Sequence, residues 1–106
     1  MPARLVITAD AALELVSIVD YIKEDLGAPA TADSFVSEFR RIARLVCSFS
    51  ESKPLCPDPY LSSRGYRSFR VKGYIALYLY SDGIVYVDHV FHRSQDYAAL
   101  VVQKAE

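Results

Sequence analysis

The chain is poor in the residues that build metal and redox centres, with two cysteines and two histidines in 106 residues. Cys47 and Cys56 lack the paired short spacing of a zinc site, so they read as buried or unreactive thiols of a reducing compartment. His89 and His92 stand three apart on a predicted strand. Side chains alternate along a strand, so the two point to opposite faces and cannot easily share an ion. Neither a metal nor a cofactor is expected. No apolar run reaches the ~18 residues of a membrane span. The N-terminus lacks the basic region and apolar stretch of a signal peptide. The expectation is a cytoplasmic protein with no membrane partner. An excess of one charge is missing too: 12 Lys and Arg stand against 13 Asp and Glu, a net charge of −1. Proteins that grip a phosphate backbone through many contacts are usually basic, overall or on one face. The balance argues against a general nucleic-acid binder, although local arginine clusters remain. Internal repeats and low-complexity segments are also lacking.

What is present suits a single domain over residues 1–106, with 52% hydrophobic residues to fill a core. Residues 3–8 form a short strand candidate. A helix follows, capped at Thr8 or Asp10, with an apolar stripe of Ala12, Leu15, Val16, Val19, Ile22 and Leu26. Asp10, Glu14, Asp20 and Glu24 lie elsewhere on its wheel as a solvated acidic side, and Gly27 can end it. A second helix starts near Pro29 and runs about five turns, with Ala32, Phe35, Val36, Phe39, Ile42, Ala43, Val46 and Phe49 on one face. The short connection predicts an antiparallel helical hairpin. Arg40, Arg41 and Arg44 fall off this stripe; they read as a solvated face or as a basic patch toward a partner. Residues 50–64, with three prolines and several serines, predict a surface loop. Strands follow at about 66–71, 74–80 and 84–91, joined by turns at Lys72-Gly73 and Ser81-Asp82-Gly83. The fold class is α+β, β-α-α-β-β-β, a helical hairpin packed on a small antiparallel sheet.

Strand 74–80 is apolar or aromatic on both faces, with Tyr74, Ala76, Tyr78 and Tyr80 on one and Ile75, Leu77 and Leu79 on the other. A sheet with one wet face should alternate. The hairpin can cover one side only. The other is expected to be covered by a partner protein, or else by a neighbouring segment of the chain.

The stretch from Gly65 to Tyr97 resembles the RelE/ParE superfamily of bacterial type II toxin–antitoxin toxins. It carries Gly65-Tyr66-Arg67, then a tyrosine-rich strand from Tyr74 to Tyr78, then Val90-Phe91-His92 with Asp96. The helices LELVSIVDYI and ADSFVSEFRRIARL are similar to the family's hairpin, so the resemblance covers nearly the whole chain. It implies a growth-inhibiting toxin of an addiction or plasmid-stabilisation module, held inactive by a cognate antitoxin, as a homodimer or a toxin–antitoxin hetero-oligomer. The superfamily divides by target. RelE-like members act as mRNA interferases, entering the ribosome to cut messenger RNA, and ParE-like members inhibit DNA gyrase.

RNA cleavage requires a base for the 2′-OH, an acid for the leaving oxygen and cations for the phosphorane charge. RelE-like toxins place an arginine directly after the tyrosine that opens the middle hairpin strand. Here that tyrosine is Tyr74 and the next residue is Ile75, which stabilises no phosphate charge. In a RelE-like reading Arg67, His92, Arg93 and Tyr97 would form the catalytic set. The bland alternatives are a surface or salt-bridged arginine for Arg67, a strand-end histidine for His92, and a ring packed on the sheet for Tyr97. Arg67 and Arg70 lie three apart, so only one of them joins a given site. In a ParE-like reading no residue performs chemistry, and Tyr74, Ile75, Leu77, Leu79, Arg70 and Asp96 are candidate partner contacts. Asp96 is equally suited to cap a short terminal helix, DYAALVVQKA. Ile75, the acidic balance and the HRSQDY ending favour the ParE-like branch. A relative that binds protein without toxicity is a further alternative.

Overall fold

A computed structural model describes residues 2–105. Strand β1 (Arg4–Ile7) leads into helix α1 (Ala9–Asp20), which loosens into a π-helical turn at Tyr21–Asp25. Helix α2 (Pro29–Ser48) returns antiparallel to it, and a short helix α3 (Pro59–Ser63) precedes β2 (Arg67–Val71), β3 (Tyr74–Ser81) and β4 (Ile84–His92). Helix α4 (Tyr97–Ala105) closes the chain. Thr8 caps α1 as its side chain accepts from the Ala11 N–H at 3.2 Å. Both hairpin turns use two consecutive positive φ angles, at Lys72-Gly73 and Asp82-Gly83, which matches the twist of the flanking strands. No helix among the described residues is long and apolar enough to cross a membrane.

The sheet order is β1-β4-β3-β2, and it corrects the expected antiparallel sheet. β2, β3 and β4 are antiparallel neighbours, but β1 pairs parallel to β4, from Arg4 opposite Ile84 to Ile7 opposite Val87. The α1–α2 hairpin acts as the start of a crossover that returns the chain beside its own N-terminal strand. β1 therefore covers only the first half of β4.

The proline-rich stretch at 50–64 is not loop alone. Asp58 accepts the Leu61 N–H at 3.1 Å and Pro59 opens the turn, so Asp-Pro starts α3. The buried face of α1 and the turn after it keeps Leu15, Val19 and Ile22 of the expected stripe but is rotated from the rest of it, with Ala12 exposed and Ala11 and Ile18 turned inward. Ala11, Ile18 and Ile22 are buried with Leu15 and Val19 packed beside them, whereas Val16 and Leu26 are exposed. The helix is apolar nearly all round, so periodicity admits two orientations, and the π turn shifts its register further. On α2 the expected stripe faces inward except at Phe49, which follows the helix and is exposed.

The second sheet face is covered by the chain itself. Leu61 of α3 and Val101 of α4 pack with Cys56, Tyr66, Ile75, Leu77 and Phe91, while Tyr97, Ala98 and Leu100 lie against them. This corrects the expectation of a partner over strand 74–80: Ile75 and Leu77 are buried, Leu77 at 0% exposure. The segment after residue 97 supplies enough side chains after all. Both cysteines are buried, and burial pushes their thiols up, away from reactive thiolate.

Candidate functional site

A groove beside the helical hairpin and the polar end of the sheet both hold groups available for binding. The groove, about 370 Å³, lies where α1 and α2 stand over the outer edge strand β1. Its floor is Leu5, Ile7, Leu15, Val19, Phe35 and Phe39. Arg40 and Arg44, one helical turn apart on α2, stand at its rim. Their neighbour Arg41 is tied to Glu38 at 2.5 Å. The arrangement is an apolar trough with fixed positive charge along one wall, and β1 presents an unpaired strand edge beside it.

The polar tail is dispersed rather than assembled. His92 ends β4, opposite Tyr74, and its ring meets the Tyr74 ring edge-on at 5.2 Å. Its Nδ1 accepts from the Ser94 N–H at 3.1 Å and lies 2.6 Å from the Ser94 hydroxyl. Burial, then the neighbouring Tyr21, pushes the Tyr74 hydroxyl up. Arg93 holds the Gly73 carbonyl through its backbone N–H, and its side chain is exposed. Arg67 opens β2 at the other end of the sheet, opposite Tyr78, where its guanidinium holds the Lys53 carbonyl. The register places Val71, not Arg67, in line with Tyr74 and His92. Four residues of strand, roughly 13 Å, separate Arg67 from that line. Tyr97 opens α4 and packs on the second core, while Asp96 caps that helix by accepting the Ala99 N–H at 3.3 Å. Tyr74 and Leu79 are half-buried, and Arg70 is exposed.

A third constellation was missed in the sequence. Pairing slips between Leu77–His89 and Tyr78–Val87, so Asp88 is an extra residue in β4. The bulge sits where β1 has run out. Beyond it the open edge of β4 is closed by side chains: Glu14 accepts the Val90 N–H at 2.8 Å, and Gln95 accepts the His92 N–H at 2.8 Å. Glu14 also takes His89 Nδ1 at 3.2 Å and Lys104 of α4 at 3.3 Å. Burial pushes the Glu14 carboxyl up, but the bonds from His89, Val90 and Lys104 outweigh it and hold the group below its ordinary range. Tyr66 donates its hydroxyl to Asp88; burial first, then that carboxylate, pushes the hydroxyl well up and keeps it protonated. Glu14 therefore does not belong to a solvated acidic side, since it is 13% exposed. Two consecutive polar residues inside the otherwise apolar strand IVYVDHVFH were the available signal.

His89 faces the α3/α4 side, stacked on Phe91 at 5.5 Å, and His92 faces the hairpin side. The two histidines do not converge.

Residues 5–97 match the family described as "ParE toxin of type II toxin-antitoxin system, parDE". A chain of the "Chromosomal ParDE TA system from P. aeruginosa" superposes with a TM-score of 0.68 at 16% identity, over 85% of this chain and 95% of that one. At that identity the likeness speaks to the fold. Comparison with curated proteins gives no match. The sequence match starts in β1 and ends at the first residue of α4, so it takes in the hairpin, the whole sheet and the bulged strand, and the chain belongs to the ParE toxin family of type II toxin–antitoxin systems.

Proposed function

We propose that this protein inhibits growth by binding DNA gyrase, without cutting RNA, and that its antitoxin silences it by filling the groove over β1. The observation that carries the first part is the separation of Arg67 from His92 along the sheet. Cleavage of RNA needs cation, base and acid around one phosphate, within hydrogen-bond reach of the reacting atoms. Here the arginine is tied down at one end, the histidine stands at the other, and Tyr97, at the start of α4, packs on the second core. Ile75, where RelE-like toxins carry arginine, is inside the second core. Occupying a surface of a larger enzyme requires none of these groups to meet.

The expected result is loss of colonies on induction, loss of gyrase supercoiling by the purified protein, and no new RNA 5′ ends in induced cells. RNA ends that disappear with His92→Ala or Arg67→Ala would overturn the reading in favour of an endoribonuclease.

For the antitoxin, the groove's chemistry points to an amphipathic segment with apolar residues on one face and acidic residues facing Arg40 and Arg44. Apolar burial supplies affinity, and the two arginines set orientation. The double variant Arg40→Glu/Arg44→Glu is expected to weaken the antitoxin complex at least tenfold, about 1.4 kcal/mol. Both residues are off the core face, so the fold should persist. Undiminished affinity in a titration of the purified pair would move the antitoxin elsewhere.

A further inference from the structure

The two helices of the hairpin carry opposite charge. Helix α1 and its π turn expose Asp10, Asp20, Glu24 and Asp25 against Lys23 alone. Helix α2 exposes Arg40, Arg41 and Arg44 along its crest. With Ser37, Leu45 and Ser48 these arginines line a shallow groove of about 540 Å³, and no carboxylate among the described residues lines it. The crest adjoins the groove over β1, since Arg40 and Arg44 border both. Arg41 is held by Glu38, whereas Arg40 and Arg44 make no ion pair among the described residues. A helix face kept only for solubility gains from acidic partners three or four residues away. Arg44 instead has Arg41 and Arg40 at those positions, an arrangement that repels. Its place near the C-terminus of α2 offsets part of that repulsion. An anion laid along the crest removes the rest.

We propose that the crest of α2 binds the phosphate backbone of duplex DNA, and that this is the DNA held by gyrase; the source of the DNA, though not the contact itself, rests on the function proposed above. Residues four apart on a helix stand roughly 5–6 Å apart at Cβ, so the long side chains of Arg40 and Arg44 can reach neighbouring phosphates of one strand. The forked guanidinium matches phosphate oxygens. Ser37 and Ser48 add hydroxyl donors along the same groove. Contacts of this kind position a protein on DNA and carry no sequence information. The acidic side of α1 repels the same polyanion and so turns α2 toward it. A net charge of −1 and three arginines keep the affinity for free DNA low. The contact therefore supplements binding to the enzyme and favours the enzyme with DNA in place over the enzyme alone.

The test titrates a short labelled DNA duplex with the full chain, read by fluorescence anisotropy at several salt concentrations. Weak binding at low salt is expected, with log K falling against log[salt] at a slope of about −2 to −3, since each neutralised phosphate contributes about 0.9. Arg40→Gln/Arg44→Gln should weaken binding at least tenfold and reduce the slope by about 2. Asp20→Asn/Glu24→Gln should not weaken it. No binding at low salt, or equal binding and slope in the arginine variant, overturns the proposal. Binding of an acidic peptide through Arg40 and Arg44 without binding of the duplex overturns it in favour of a protein contact. A second arm measures the affinity for purified gyrase with and without bound DNA. DNA should strengthen the complex several-fold, and the arginine variant should lose that gain. Equal affinity in both states overturns gyrase as the source of the DNA. Intact duplex binding with no gyrase complex at all overturns the function proposed above and leaves the contact standing, so the two failures give different results.

Discussion

Replacing Leu77 by alanine is expected to destabilise the isolated protein by about 2–5 kcal/mol, the range for truncating a fully buried leucine. Leu77 is 0% exposed between α4 and the sheet, in contact with the cluster of Leu61, Ile75, Phe91 and Val101. The loss combines the apolar area no longer removed from water with the cavity left behind, because flanking strands and helix can only partly collapse. In a domain of this size the melting temperature should fall by roughly 10 °C or more. Val101→Ala should act on the same cluster, and the double variant should cost less than the sum of the two. Chemical denaturation of both single variants and the pair checks this. A Leu77→Ala cost under about 0.5 kcal/mol, the scale of surface changes, would mean that α4 does not cover the sheet in solution and that the strand face is open to partners.

Strand 74–80 marks the limit of what pattern carries: two apolar faces call for cover on both sides, but not for a particular cover, and α3 and α4 of the same chain supply the second. Nine residues of α4 looked too few, yet Val101 with Tyr97, Ala98 and Leu100 closes the face together with α3. The hairpin helices, three strands and both tight turns were legible because each obeys a local rule: period 3.6, period 2, or paired positive φ. The parallel β1–β4 pairing was not, because strand order is a long-range property that no window of sequence carries. The orientation of α1 is legible only in part: Leu15, Val19 and Ile22 face the core as the stripe predicts, but apolar side chains on most of the helix surface leave its rotation open, and the inward Glu14 is not marked by periodicity. At the site, residue types were visible but distances were not. Arg67 and His92 are close in pattern and far apart in register. The Tyr66–Asp88–His89–Glu14 chain depends on a bulge that sequence reading could not place.

Glu14→Ala is the second change with a large expected effect, about 2–4 kcal/mol of stability. It removes the acceptor for the Val90 N–H and leaves His89 and Lys104 without their carboxylate, and a buried group deprived of its partner costs more than the lost bond alone. It also reopens the β4 edge beyond β1, so aggregation should rise with the loss of stability. Glu14→Gln separates the two roles: an amide oxygen can still accept the Val90 N–H, while the charge facing His89 and Lys104 is gone, so a smaller cost is expected. The pH dependence follows from the direction of the carboxyl's shift. Its folded value lies below the ordinary 4.5, so the unfolded chain binds the proton more readily and stability rises with pH across that interval. The stabilisation is fully present above about pH 4.5 and is lost as pH falls through the lower folded value. The gap between the natural protein and Glu14→Gln should therefore be widest at neutral pH and shrink in acid. Denaturation curves of both proteins at several pH values test this, and a gap that stays constant or widens toward acid would remove Glu14 from its place as the charged tie between α1, β4 and α4.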